Sequence, residues 1–152
     1  MEKIPIHATA VCWNGMGILV MGKTASGKSL TALSLIEQGA SLIADDVTYL
    51  KKDKTQLFAY GDEKTKGYIE ARGIGIVTGV ETQENVRIDY AVKLVDKISE
   101  RIPEKQQFIQ YLGVNIPVFE VCKDEKYLIT LIKIAGKIVS KELSLLSVDK
   151  NE

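Results

Sequence analysis

The chain has 152 residues, 45% hydrophobic and 26% charged, which is enough apolar material for one core of ordinary domain size. Its 20 basic and 20 acidic side chains cancel. This balance argues against a protein that binds nucleic acid or an anionic membrane through bulk charge, while leaving room for a local basic pocket for phosphates.

In chain order, residues 1–5 carry neither the positive start nor the apolar stretch of a signal peptide. No later apolar segment approaches the roughly 20 residues of a membrane helix, and the expectation is a cytoplasmic protein. Residues 11–21 read as strand, turn and strand, with Asn14-Gly15-Met16-Gly17 as the turn and Ile18-Leu19-Val20-Met21 as a buried strand. A glycine-rich segment follows, then a helix in which Leu30, Leu33 and Leu35-Ile36 recur near helical spacing and Gly39 supplies the stop. Ser41-Leu42-Ile43-Ala44 is a short strand ending at Asp45-Asp46.

Residues 47–60 read as strands around a polar hairpin at 51–55, and 62–67 as a charged, mobile loop. A strand-like entry at Tyr68 leads into Arg72-Gly73-Ile74-Gly75, where the glycines imply unusual backbone angles or close approach to a ligand. Residues 86–95 and 116–121 read as strands, 99–107 as a polar loop containing Pro103, and 127–139 as a closing helix. The last residues, 146–152, form a polar tail. Cys12 and Cys122 lie far apart within apolar runs and read as buried thiols rather than a disulfide. The expected fold is one α/β domain over 1–145: a mixed β-sheet, a P-loop helix against it and a C-terminal helix closing the core.

Gly22-Lys23-Thr24-Ala25-Ser26-Gly27-Lys28-Ser29 satisfies the P-loop pattern of Gly, four residues, then Gly-Lys-Ser. Glycines let successive backbone N–H groups turn inward around phosphate oxygens, and the following helix adds its positive N-terminal end. Lys28 then reaches the β- and γ-phosphates, and the Ser29 hydroxyl can complete a Mg²⁺ shell. A chance match in a glycine-containing loop is the competing reading. The preceding apolar strand and the following amphipathic helix count against it.

Asp45-Asp46 closes a strand that begins directly after the P-loop helix, so its end emerges beside the phosphate site. Acids so placed supply a Mg²⁺ ligand or a base for the attacking nucleophile, since Mg²⁺ needs only one or two carboxylates. The competing reading is a solvated turn, for which Asp is equally suited.

From Ile6-His7 through the P-loop, Thr31-Ala32-Leu33, Gly39 and Leu42-Ile43-Ala44-Asp45-Asp46, order and spacing resemble the catalytic domain of the HPr serine kinase/phosphorylases. Ile69-Glu70-Ala71-Arg72-Gly73-Ile74-Gly75-Ile76 is similar to that family's Glu-x-Arg-Gly-Leu-Gly-Ile signature. The likeness spans residues 6–80 and thins beyond. It is best to shorter bacterial members without the family's N-terminal domain.

This resemblance implies that Asp46 takes the proton from a substrate serine and that Asp45 supports the metal or holds the base. Lys28 would neutralise the transferring phosphoryl group, Ser29 and Glu70 would ligate magnesium, and His7 would belong to the active site. Arg72 is either structural or a phosphate contact. Arg101 matches the family's later catalytic arginine, which would stabilise charge in the transition state; a solvated loop charge is the alternative. The implied cosubstrate is ATP, the cofactor Mg²⁺, and the partner an HPr-like phosphocarrier protein in control of a phosphotransferase system. Family members form homo-oligomers, commonly hexamers.

Two departures stand out. Ala8 replaces a glycine after the histidine, and Lys123-Asp124-Glu125-Lys126 stands where the family carries proline-glycine-arginine-asparagine. That last segment is tied to dephosphorylation, so the resemblance carries the kinase direction further than phosphorolysis. A small-molecule P-loop kinase and a nucleotide-binding sensor with little turnover are the rival readings.

Overall fold

Residues 2–146 are described by a computed structural model; the expected polar tail lies, from 147 on, outside the described residues. The N-terminal half contains β1 (Lys3–His7), β2 (Thr9–Trp13), β3 (Met16–Gly22), α1 (Lys28–Glu37), β4 (Ser41–Ala44), β5 (Val47–Asp53) and β6 (Gln56–Tyr60). After a 3₁₀ turn at Glu63–Thr65 come β7 (Ile69–Ala71), β8 (Gly75–Val77), β9 (Val86–Val95), β10 (Gln107–Tyr111), β11 (Val114–Cys122) and α2 (Leu128–Val139). No helix among the described residues is long and apolar enough to cross a membrane.

Ile18, Leu19 and Val20 are all fully buried, yet they serve two different cores. Side chains alternate across a strand, so Ile18 and Val20 join Leu35 and Ile132 under the two helices, while Leu19 joins Leu50 and Leu57 on the other face. Tyr90 and Val92 divide from Ala91 in the same way along β9. A strand covered on both faces needs apolar residues at every position, hence the continuous run in the sequence. The sheet is mixed, as expected, but it curls: the order is β1-β5-β6-β9-β3-β2-β4, with β11 also on β9 and β10 on β11.

Parallel pairing of β3, β9 and β11 fixes the site's location. Gly22 is level with Leu94, and Leu94 with Val121. The P-loop, the loop after β9 and the segment after β11 therefore leave the sheet at one edge, where ligands of open α/β sheets bind.

Several elements differ from the sequence reading. The turn between β2 and β3 is only Asn14-Gly15, both with positive φ, as a tight hairpin requires. β1 and β10 have no counterpart in the reading. Both are edge strands with few buried positions, and β1 contains Pro5, which suits an edge. The charged loop at 62–67 includes the 3₁₀ turn, capped by the Asp62 carboxylate accepting from the Lys64 N–H at 2.9 Å. Cys12 and Cys122 are free thiols, half-buried rather than buried. Leu30 is 61% exposed and takes no part in the core, which α1 meets instead through Ala32 and Leu35.

Candidate active site

The P-loop connects β3 to α1 in a conformation that few sequences permit. A Cβ on Gly22 would sit 2.4 Å from Ser26 Oγ and 3.1 Å from the Leu94 carbonyl oxygen, so only glycine fits there. Gly27 caps α1 with φ of 95°, in the left-handed region that glycine enters without cost. Lys28 begins the helix and is only 6% exposed. A buried ammonium needs partners, and Lys28 Nζ donates to the carbonyls of Gly22 at 3.2 Å and Lys23 at 3.1 Å. Its charge is thereby held across the mouth of the loop. Ser26 Oγ is buried without a hydrogen-bond partner among the described residues.

Asp45 is the centre of the polar cluster. Its Oδ1 accepts hydrogen bonds from Ser29 Oγ at 2.7 Å and from Thr9 Oγ1 at 2.9 Å. Its Oδ2 accepts the Glu70 backbone N–H at 3.1 Å. One carboxylate thus joins the P-loop helix, β2, β4 and the β7–β8 hairpin. Asp46 points elsewhere: its Oδ1 lies 2.7 Å from His7 Nε2, and both side chains are at least half exposed, at 69% and 50%. An exposed pair of this kind contributes about 0–1 kcal/mol to stability, so its consequence is orientation of the carboxylate. Asp46 also has φ of 68°, in the left-handed region that Asp tolerates better than most residues.

Thr9 is the participant that sequence reasoning missed. It is fully buried, its hydroxyl donates to Asp45, and the same oxygen accepts the Asp46 N–H at 3.2 Å. The available signal was a hydroxyl inside the apolar run Ala8-Thr9-Ala10-Val11, two residues after His7. Ala8 is fully buried, and its carbonyl accepts the Thr48 hydroxyl at 2.8 Å.

The sequence-predicted residues fall into two groups. His7, Lys28, Ser29, Asp45, Asp46 and Glu70 gather at the sheet edge; Glu70 does so through its backbone, with an exposed side chain. Arg72 and Arg101 are exposed and join no hydrogen bond or ion pair among the described residues. Arg72 opens the turn from β7 to β8. Arg101 lies on the loop from β9 to β10, which is fastened by Glu120: its carboxylate accepts from Ser99 N at 2.8 Å and Ser99 Oγ at 3.1 Å.

Ser29, Asp45 and the exposed Glu70 carboxylate offer oxygen donors alone, and no group of three His, Cys, Asp or Glu side chains gathers as a metal cage among the described residues. That donor set fits Mg²⁺, which keeps several waters and shares its shell with phosphate oxygens rather than occupying an all-protein cage.

Comparison with known proteins places this geometry. The profile of the HPr Serine kinase C-terminal domain matches residues 1–145. Over 133 residues the chain is 39% identical to the HPr kinase/phosphorylase of Lachnoclostridium phytofermentans, covering 76% of this chain and 43% of that protein. It is 34% identical over 126 residues to the HPr kinase/phosphorylase of Caldanaerobacter subterraneus subsp. tengcongensis, covering 76% and 41%. The chain therefore spans less than half the length of these curated relatives. Among solved structures, the Hpr(Ser) kinase/phosphatase from Coxiella burnetii superposes with a TM-score of 0.79 at 26% identity, covering 92% of this chain and 99% of that one.

Proposed function

The chain belongs to the HPr serine kinase C-terminal domain family, and on that premise we propose that it is an ATP- and magnesium-dependent protein serine kinase. Its substrate in this reading is a serine of a small HPr-like phosphocarrier protein, and residues 1–145 are the catalytic unit. The observation that carries the reading is the division of roles between adjacent acids. Asp45 is tied to the P-loop through Ser29, whereas Asp46 stands exposed with His7 as its neighbour. A base reachable from solvent suits a hydroxyl presented on a protein surface better than a small molecule in a closed pocket.

In the proposed reaction Asp46 takes the proton of the substrate serine as its oxygen bonds to the γ-phosphorus. The bond from that phosphorus to the bridging oxygen breaks, and ADP leaves with the electron pair. His7 orients the Asp46 carboxylate. The P-loop N–H groups and Lys28 bind and align the phosphates, and Arg101 stabilises charge on the group in flight. Magnesium, held by Ser29 and Glu70 with Asp45 in support, would supply neutralising charge on the phosphates. Transfer of this kind depends mainly on positioning and electrostatics.

The test is to incubate the protein with Mg·ATP and the HPr-like carrier of the same genome, beside an Asp46→Asn variant, and to read the carrier's intact mass. One phosphate added by the wild type and lost in the variant supports the kinase and its base together. No transfer, with nucleotide still bound, assigns the site to another substrate or to a sensor.

A further inference from the structure

The nucleotide reading accounts for phosphates but leaves the nucleoside without a seat. We propose that the nucleoside occupies the cleft between α1 and the segment 123–130, with the Tyr127 ring as the surface on which the base stacks. The inference rests on the P-loop holding a nucleotide, and it adds which residues recognise the other end of that molecule.

Contiguity is the first argument. The cleft encloses about 310 Å³ and begins at Ser26 and Gly27, the last turn of the P-loop. Its floor is one face of α1: Gly27, Leu30, Thr31 and Ser34 stand at i, i+3, i+4 and i+7. Its opposite wall is the start of α2, with Lys126, Tyr127 and Leu128. The volume lies at the small end of ligand clefts, which run from about 300 to 1,000 Å³, so it suits part of a ligand whose remainder is bound next door.

Chemistry of the lining is the second argument. Leu30 is 61% exposed and Tyr127 60% exposed, and they face one cleft from opposite sides. A flat heterocycle covers such apolar surfaces on both of its faces. The Tyr127 backbone is anchored beside the cleft, its N–H donating to the Glu125 carboxylate at 3.1 Å. Lys126 Nζ sits 5.5 Å from the ring centroid, within cation–π range, so the base end of the cleft also carries a positive charge.

Direct binding separates this proposal from the one on which it rests. Calorimetric titrations with Mg·ATP and with Mg·tripolyphosphate would be run on the wild type, Tyr127→Ala and Tyr127→Phe. Melting temperatures would verify that each variant is folded, as the exposure of Tyr127 leads one to expect. Loss of one base-stacking partner weakens binding by about tenfold. The expected result is that Tyr127→Ala weakens ATP by about that factor, leaves tripolyphosphate unchanged, and that Tyr127→Phe retains wild-type ATP affinity. Unchanged ATP affinity in Tyr127→Ala overturns the stacking site while leaving the P-loop reading intact. Equal weakening of both ligands also overturns it, since the residue would then act on the phosphate loop. Failure of the wild type to bind either ligand removes the nucleotide reading and this inference together.

Discussion

The Ser29 hydroxyl donates to Asp45 Oδ1 at 2.7 Å, so the first turn of the P-loop helix and the end of the following strand share one proton donor and one carboxylate. Asp45→Asn keeps the shape and removes the charge. Groups that orient a metal's ligands are worth about ten- to a hundredfold in metal affinity. The magnesium concentration for half-maximal phosphotransfer should rise by that factor, with the affinity for magnesium-free ATP little changed. A titration of activity and ATP binding against magnesium checks both halves; an unchanged magnesium requirement would remove Asp45 from the metal site.

Asp46 combines a proposed chemical role with a backbone one, and two substitutions separate them. As a general base it is worth about 10²- to 10⁴-fold in rate, so Asp46→Asn and Asp46→Ala should both lose that much activity. Their stabilities should differ. At φ of 68° asparagine is accommodated, whereas alanine pays about 1–2 kcal/mol for the left-handed conformation. Urea denaturation should find only the alanine variant weakened, and equal stabilities would contradict the strain argument.

The Tyr90 hydroxyl leaves no room for a side chain at Gly136. The buried Tyr90 hydroxyl donates to the Ile132 carbonyl at 3.0 Å, and a Cβ at Gly136 would lie 2.8 Å from that hydroxyl oxygen. Gly136→Ala gains about 1 kcal/mol of helix propensity but overpacks the core at a cost of about 1–3 kcal/mol, so a net loss is expected. In a Tyr90→Phe background the obstruction is gone and the same change should be neutral or stabilising. A double-mutant cycle by urea unfolding measures the coupling, and additive effects would show that the helix moves aside instead.

Burial, reinforced by the nearby Asp89 charge, pushes the Tyr90 phenol well above its usual range. Below about pH 10 the phenol is neutral in both the folded and the unfolded chain and contributes no pH dependence. Above it the unfolded phenol ionises while the folded one does not, so unfolding releases a proton and stability falls as pH rises. The slope is at most about 1.4 kcal/mol per pH unit. Tyr90→Phe should flatten that decline between pH 10 and 11, as read from melting temperatures against the wild type.

Glu120 should govern the loop that carries Arg101. Removing its two bonds to Ser99 in Glu120→Ala should speed amide hydrogen exchange across residues 97–105 while leaving α1 protected. If Arg101 acts from that loop, the rate of transfer should fall with little change in ATP affinity. Accelerated exchange with full activity would detach Arg101 from the chemistry.

Local physics explains why the P-loop was legible from eight consecutive residues. The phosphate binding proposed for it would rest on backbone N–H groups and on glycines at fixed offsets, and the close approach at Gly22 shows why glycine stands there. The strand ending at Asp45-Asp46 was legible because the apolar run Leu42-Ile43-Ala44 follows the helix stop at Gly39, and the structure buries all of it. What only the tertiary structure decided depends on partners distant in sequence. His7 meets Asp46 across 39 positions because β1 pairs antiparallel with β5 in a register that sets His7 opposite Val47. β1 and β10 are five-residue edge strands with no fully buried position, so neither shows the continuous apolar run of a strand covered on both faces. The sequence therefore determined the Gly-rich motif at 22–29, the strand and helix that flank it, and the acids that follow. Long-range strand pairing decided which acid is tied to that loop and which stands beside His7, because those partners lie on elements distant in sequence, while the packing of α1 left Leu30 exposed.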